Sequence, residues 1–170
     1  MLKDLKSAWS FASTLINTCK KNPLVLCLSA AVLVLSGDVS TSLKGLKLYE
    51  RCLTLYPDFT IATLSISDVY IRQKQYSKGI AVCEKCLSGK NDANDNVTLR
   101  KTVRSEDLVH VKLATLHALN HDVHKAIEHY QIALKISPGF APALQGLAKL
   151  DADLKNGDAG QTEVLDNMNR

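Results

Sequence analysis

The sequence predicts an all-α protein, a solenoid of antiparallel helix pairs stacked side by side. Three observations carry this. Aromatic residues make up only 5% of the 170-residue chain, while Leu, Ala, Ile and Val are plentiful, and helices pack on helices through small and aliphatic side chains. Apolar residues recur at helical spacing along most of the length. The chain also repeats itself: LYERCLTLYPDF (Leu48–Phe59) aligns without a gap on HYQIALKISPGF (His129–Phe140). Each segment has an aromatic residue (Tyr49, Tyr130), a small residue three later (Cys52, Ala133), Pro five beyond that (Pro57, Pro138) and an aromatic two further on.

That pattern is the second-helix ending of a tetratricopeptide repeat, a helix–turn–helix unit of about 34 residues. Its stack implies a right-handed superhelix. Residues 1–22 read as a helix of an incomplete N-terminal repeat, with Leu5, Trp9, Ala12, Leu15, Ile16 and Cys19 on one side. Asn22 and Pro23 start the next helix, an N-cap followed by proline at the first helical position. The first full copy places Leu26, Ser29, Ala30 and Leu33 in its first helix and Gly45, Tyr49 and Cys52 in its second. Its turn, Gly37–Leu43, is expected to be about three residues longer than the pattern needs. The second copy offers Thr63, Ile66, Ser67 and Tyr70, a turn at Lys74–Tyr76, then Gly79, Cys83 and Cys86. The third offers His110, Leu113, Ala114 and His117, then Ala126, Tyr130 and Ala133, closed by Pro138. Ala141–Leu154 reads as the first helix of a fourth copy acting as a cap. Residues 23–155 therefore hold about three repeats plus the capping helix. Ser88–Ser105, SGKNDANDNVTLRKTVRS, is an inserted polar loop, and 156–170 a disordered polar tail.

Composition narrows the function classes. Net charge is +4 and basic residues are scattered, with one short cluster at Arg100, Lys101 and Arg104; nucleic-acid binding is not expected, because it needs a concentrated basic face. The apolar run Leu24–Leu35 is shorter than the ~18 residues a spanning helix requires. It is expected to be a helix buried on nearly all sides, with no membrane role. Five cysteines, with no evident signal peptide, read as reduced thiols in the cytosol or nucleus.

The candidate chemical sites read as structural. Cys83 and Cys86 form a CxxC pair, but no second pair completes a zinc site. They sit inside a helix rather than at the strand–helix junction of a redox motif. In the repeat register both lie on the packing face, where cysteine acts as a small hydrophobe. Of the histidines, His117 and His121 are four apart without an intervening catalytic Glu, and His121 falls in a turn. The Asn91–Asn96 cluster lacks the Gly and Glu of a calcium loop. No phosphate loop, dinucleotide fingerprint or nucleophile elbow is present. The expectation is no enzyme, no metal and no cofactor.

Stacks of this kind bind protein segments on the concave face lined by the first helices. That face should hold Leu64, Asp68, Ile71 and Arg72 in the second copy, beside Ile61. In the third it should hold Val111, Thr115, Ala118 and Leu119, beside Leu108. Its aliphatic character suits a helix, an apolar peptide or another subunit. Repeat packing itself is assigned to Tyr49, Cys52, Pro57, Tyr70, Gly79, Cys83, Cys86, Leu113, Ala114, Ala126, Tyr130, Ala133 and Pro138.

At Leu53–Leu87 the likeness narrows. LTLYPDFTIATLSISDVYIRQKQYSKGIAVCEKCL resembles the subunit 7 family of the anaphase-promoting complex in its LTL-x-PD-aromatic join, R-x-QK-x-Y turn and G-I-A helix entry. IEHYQIALKISP and the following LQGLAKLD are similar as well. The resemblance implies a non-catalytic scaffold subunit of a cell-cycle ubiquitin ligase, packed against other tetratricopeptide subunits and located in nucleus and cytoplasm. It covers only the C-terminal part of that family. The N-terminal repeats that make the family's homodimer lie outside it, so the resemblance leaves homodimerisation open. The alternative is an adaptor using the same groove for another protein's peptide or helix.

Overall fold

The computed structural model describes residues 2–36, 39–88 and 105–168, with side chains from Ser7 to Lys155. The described residues form eight helices: α1 (Leu2–Thr18), α2 (Pro23–Leu35), α3 (Val39–Leu55), α4 (Thr60–Arg72), α5 (Tyr76–Ser88), α6 (Glu106–Leu119), α7 (Val123–Ile136) and α8 (Ala141–Met168). Pairs α2/α3, α4/α5 and α6/α7 are the three repeats. First helices α2, α4, α6 and α8 also pack against one another, which leaves one face of the stack lined by them.

Local chemistry sets the joints. Asn22 accepts from the backbone N–H groups of Leu24 and Val25, and Pro23 opens α2. Lys74 and His121 occupy equivalent turns and both adopt positive φ, 57° and 63°. That left-handed residue lets the chain reverse within two or three residues. Pro57 and Pro138 follow the second helices of their repeats and are exposed. Both are expected to pack between repeats, but their contribution lies in the backbone. A proline ring lacks the N–H and blocks helix continuation.

The core comes in three clusters, each crossing a repeat boundary. Leu26, Ala30, Tyr49 and Cys52 of the first repeat meet Ala62 and Ile66 of the second. Cys83 and Cys86 of the second meet Val109, Leu113 and Leu116 of the third. Ala114, Tyr130 and Ala133 of the third meet Ala143 of α8. A repeat buries its apolar side only when its neighbour is present.

Three expectations change. First, α2 is not buried on nearly all sides: Leu24, Leu28 and Leu35 are 58%, 51% and 64% exposed. Their spacing places them on one stripe, and only the opposite side packs against α3 and α4. Second, the long turn Gly37–Leu43 is mostly helix, because α3 already begins at Val39. An excess of three to four residues amounts to one extra helical turn, which leaves every later side chain on its original face. The hydroxyls of Ser36 and Thr41 meet across this joint. Third, α8 continues to Met168, past Leu154 and through the expected disordered tail. No proline interrupts that stretch, and its Ala, Leu, Lys, Gln and Glu residues are good helix formers, against Gly157 and Gly160 at about 1 kcal/mol each. The expected insert Ser88–Ser105 lies outside the described residues except at its two ends. Among the described residues no helix is long and apolar enough to cross a membrane.

Candidate interaction face of the first helices

The first helices present their outward stripe at a regular spacing. On α4 the stripe holds Ile61, Leu64, Asp68 and Arg72; on α6 it holds Leu108, Lys112, Thr115 and Leu119. The two helices are joined across this face by Lys112, whose Nζ lies 2.6 Å from the Asp68 carboxylate. Arg72 leans back along α4, its Nε donating to the Asp68 carbonyl oxygen at 3.4 Å. Both acceptors are thus on one residue, and Asp68 fixes the two cations that border the aliphatic surface. An exposed pair of this kind is worth about 1 kcal/mol or less; its effect is on register and on the charge pattern a partner would meet.

The expected groove residues divide into two sets. Asp68, Arg72 and Leu119 are exposed, and Leu64 and Ala118 are half-buried. Ile71 is half-buried and packs into the Cys83 cluster, so it serves the joint between repeats. Val111 is drawn in the same way toward Ala114 and Tyr130. Thr115 donates to the Val111 carbonyl at 2.9 Å, and its hydroxyl lies 3.3 Å from the Tyr130 hydroxyl. A residue at the margin of the core stripe can turn to either side, and helical spacing alone does not say which.

The exposed stripe of α2 was not among the expected groove residues. Leu24, Leu28 and Leu35 extend the aliphatic face by one more first helix. The 24, 28, 35 spacing is present in the sequence, but the one polar residue of LVLCLSAAVLVL, Ser29, is buried on the opposite side and donates to the Val25 carbonyl oxygen, so polarity does not mark which stripe meets water. Lys112 was missed because its partner lies 44 residues away in the chain.

Four of the five cysteines are sequestered. Cys27, Cys52, Cys83 and Cys86 are buried, and Cys19 is exposed. Burial, partly offset by the Ser67 hydroxyl at 3.2 Å, pushes the Cys83 thiol up to about 11. The Cys52 sulfur 3.8 Å away, and then burial, push the Cys27 thiol up. Raised thiols are protonated at neutral pH and are poor nucleophiles and poor metal ligands. Among the described residues no group of three or more His, Cys, Asp or Glu is arranged to hold a metal ion. A hollow of about 250 Å³ between α3, α4 and α5 is lined by Glu50, Leu53, Pro57, Tyr70, Val82 and Lys85. It is smaller than the roughly 300–1,000 Å³ of small-molecule sites.

No protein-family model matches the chain. Curated proteins do. Anaphase-promoting complex subunit 7 of Homo sapiens is 25% identical over 164 residues, which is 96% of this chain and 26% of that protein. The subunit 7 of Arabidopsis thaliana is 29% identical over 140 residues, 79% of this chain and 23% of that protein. The Dictyostelium discoideum subunit 7 is 26% identical over 162 residues, 95% and 25% of the two. The chain spans about a quarter of the length of these relatives. Among solved structures, MamA matches with a TM-score of 0.63 at 16% identity, covering 90% of this chain and 80% of that one. A thermophilic tetratricopeptide protein of Thermus thermophilus matches with a TM-score of 0.63 at 15% identity, covering 90% and 74%. At such identity these two show the fold: the chain is a tetratricopeptide-repeat helical solenoid. Its sequence is similar to anaphase-promoting complex subunit 7 along nearly its whole length.

Proposed function

We propose that this solenoid, related in sequence to an anaphase-promoting complex subunit, is a non-catalytic scaffold of that cell-cycle ubiquitin ligase. Its first-helix face would pack against other tetratricopeptide subunits of the complex, in nucleus and cytoplasm. The observation that carries the reading is the set of exposed aliphatic residues Leu24, Leu28, Leu35, Ile61, Leu108 and Leu119 on the first helices of successive repeats, with Asp68, Arg72 and Lys112 set among them. Exposed apolar patches spanning several elements mark protein-interaction surfaces. The likeness to subunit 7 over 96% of the chain says which assembly to look in first. Four of the five thiols and His117 are buried in repeat packing, which supports a non-catalytic role.

The test is affinity purification of the tagged chain from dividing cells. Recovery of other ligase subunits at stoichiometric levels is the expected result. Recovery of chaperones or transport factors without ligase subunits would replace this reading with a general adaptor that takes a peptide in the same groove.

A further inference from the structure

Three histidines form a row inside the third repeat. His110 and His117 lie seven residues apart on α6, two turns along one face, and His129 of α7 sits against both. The His110 and His129 ring centroids are 5.3 Å apart at 28°, and those of His117 and His129 5.4 Å apart at 15°. The Nδ1 atoms of His110 and His129 are 3.1 Å apart. His117 is 4% exposed, and its Nδ1 makes no hydrogen bond among the described residues; the Asp122 carboxylate lies 3.7 Å from it.

Proton counting limits what this row can be. A hydrogen bond between two Nδ1 atoms needs one to carry a proton and the other to be bare, so the neutral pair holds opposite tautomers. A first added proton can go to the Nε2 of the donor ring, and the Nδ1–H···Nδ1 bond survives. A second must go to the bare Nδ1, which sets two N–H groups face to face at the distance of the former bond. We propose that the His110–His129–His117 row is a proton-operated latch: it holds α6 to α7 while the pair shares its Nδ1 proton and opens when the pair takes a second one. His117 is the tolerant end of the row, because a proton there gains the Asp122 carboxylate.

The surroundings support this. The charged groups that bear on the row are Glu106 on α6, Glu84 on α5, and Asp122, Lys125 and Glu128 on or at the start of α7. Glu106 and Glu128 favour protonation, yet burial outweighs them and lowers all three imidazoles below the usual 6.5. The unfolded chain therefore takes up these protons first. Stability is complete above about pH 6.5 and is lost as pH falls below it. The third repeat carries α8 through Ala143 and Tyr130, so opening the latch would loosen the capping end of the solenoid.

The experiment is thermal unfolding of the full chain at pH 7.5 and 5.5, for the native sequence and for His129→Phe and His110→Phe. Phe keeps the ring and takes no proton. The native midpoint should fall on the order of 3–5 °C at the lower pH, and each variant should lose at least half of that fall. If one variant fails to fold, the other is read alone. Imidazole ¹⁵N NMR of the native chain needs no variant: at pH 7.5 one of His110 and His129 should carry its proton on Nδ1 and the other on Nε2. Exposed His121 and His124 serve as internal references. An unchanged native midpoint, variants that keep the full fall, or both rings protonated on Nε2 would each overturn the latch.

Discussion

Gly45, Gly79 and Ala126 hold one position in three successive repeats, and all three are buried. Their environments differ. A Cβ on Gly45 would stand 2.8 Å from the Ala30 carbonyl oxygen and 2.8 Å from Val34 Cγ2, so α2 backbone itself would have to move. A Cβ on Gly79 would meet the methyl groups of Leu116, the nearest at 2.7 Å. Alanine in place of helical glycine gains about 1 kcal/mol in propensity, and overpacking costs about 1–3 kcal/mol. Gly45→Ala should therefore lower the melting temperature, while Gly79→Ala should leave it within about 2 °C; denaturation followed by circular dichroism checks both. The same close packing explains Ala133, wholly buried against Ala114 and Tyr130. Ala133→Trp should destabilise by about 3 kcal/mol or more, and an unchanged melting curve would refute the register. The thiols give a third readout. Alkylation of the folded protein should modify Cys19 within minutes and the four buried cysteines only on unfolding, which peptide mass spectrometry resolves.

Among the elements, α2 shows both what periodicity delivers and where it stops. Its start was readable from two residues, because Asn22 and Pro23 each supply a specific backbone service: a side-chain acceptor for two orphan N–H groups and a preset φ. Asn22→Ala should cost about 1 kcal/mol and appear as a lower urea midpoint with unchanged slope. Which side of α2 meets solvent was not readable, because apolar residues lie all round the helix, its one polar residue Ser29 is on the buried side, and the burial is decided by where α3 and α4 fall. α3 errs in the opposite direction. Ser40, Thr41 and Ser42 have the composition of a turn, yet they lie in the helix, since weak local preferences yield to packing of the helix they extend. The groove residues follow the same logic. Asp68 and Arg72 were placed by spacing alone, whereas Ile71 and Val111 sit at the margin of the stripe and are pulled into the core clusters by neighbouring repeats.

For the whole molecule, the proposed scaffold role would separate stability from recognition. Its core clusters lie between helices and across repeat boundaries, while Leu28 and Leu35 contribute exposed surface on α2 and belong to none of them. Replacing exposed apolar residues away from packed contacts changes stability by about 0.5 kcal/mol or less. The same change at the centre of an interface places unpaired charge in a desolvated patch and costs about 2 kcal/mol or more of binding. Leu28→Asp with Leu35→Asp should therefore leave the circular-dichroism melting temperature within about 2 °C of the native value. It should also reduce recovery of partner subunits from dividing cells by at least about tenfold, by the conversion of about 1.4 kcal/mol per factor of ten. The control is a charge change on the other side of the stack, Leu55→Asp on α3, exposed to a comparable degree. That variant should keep both the fold and the partners. If both changes deplete the partners equally, recognition does not belong to the first-helix face. If the α2 variant alone melts early, its stripe contributes to the fold, and the solenoid is held together more broadly than its three clusters.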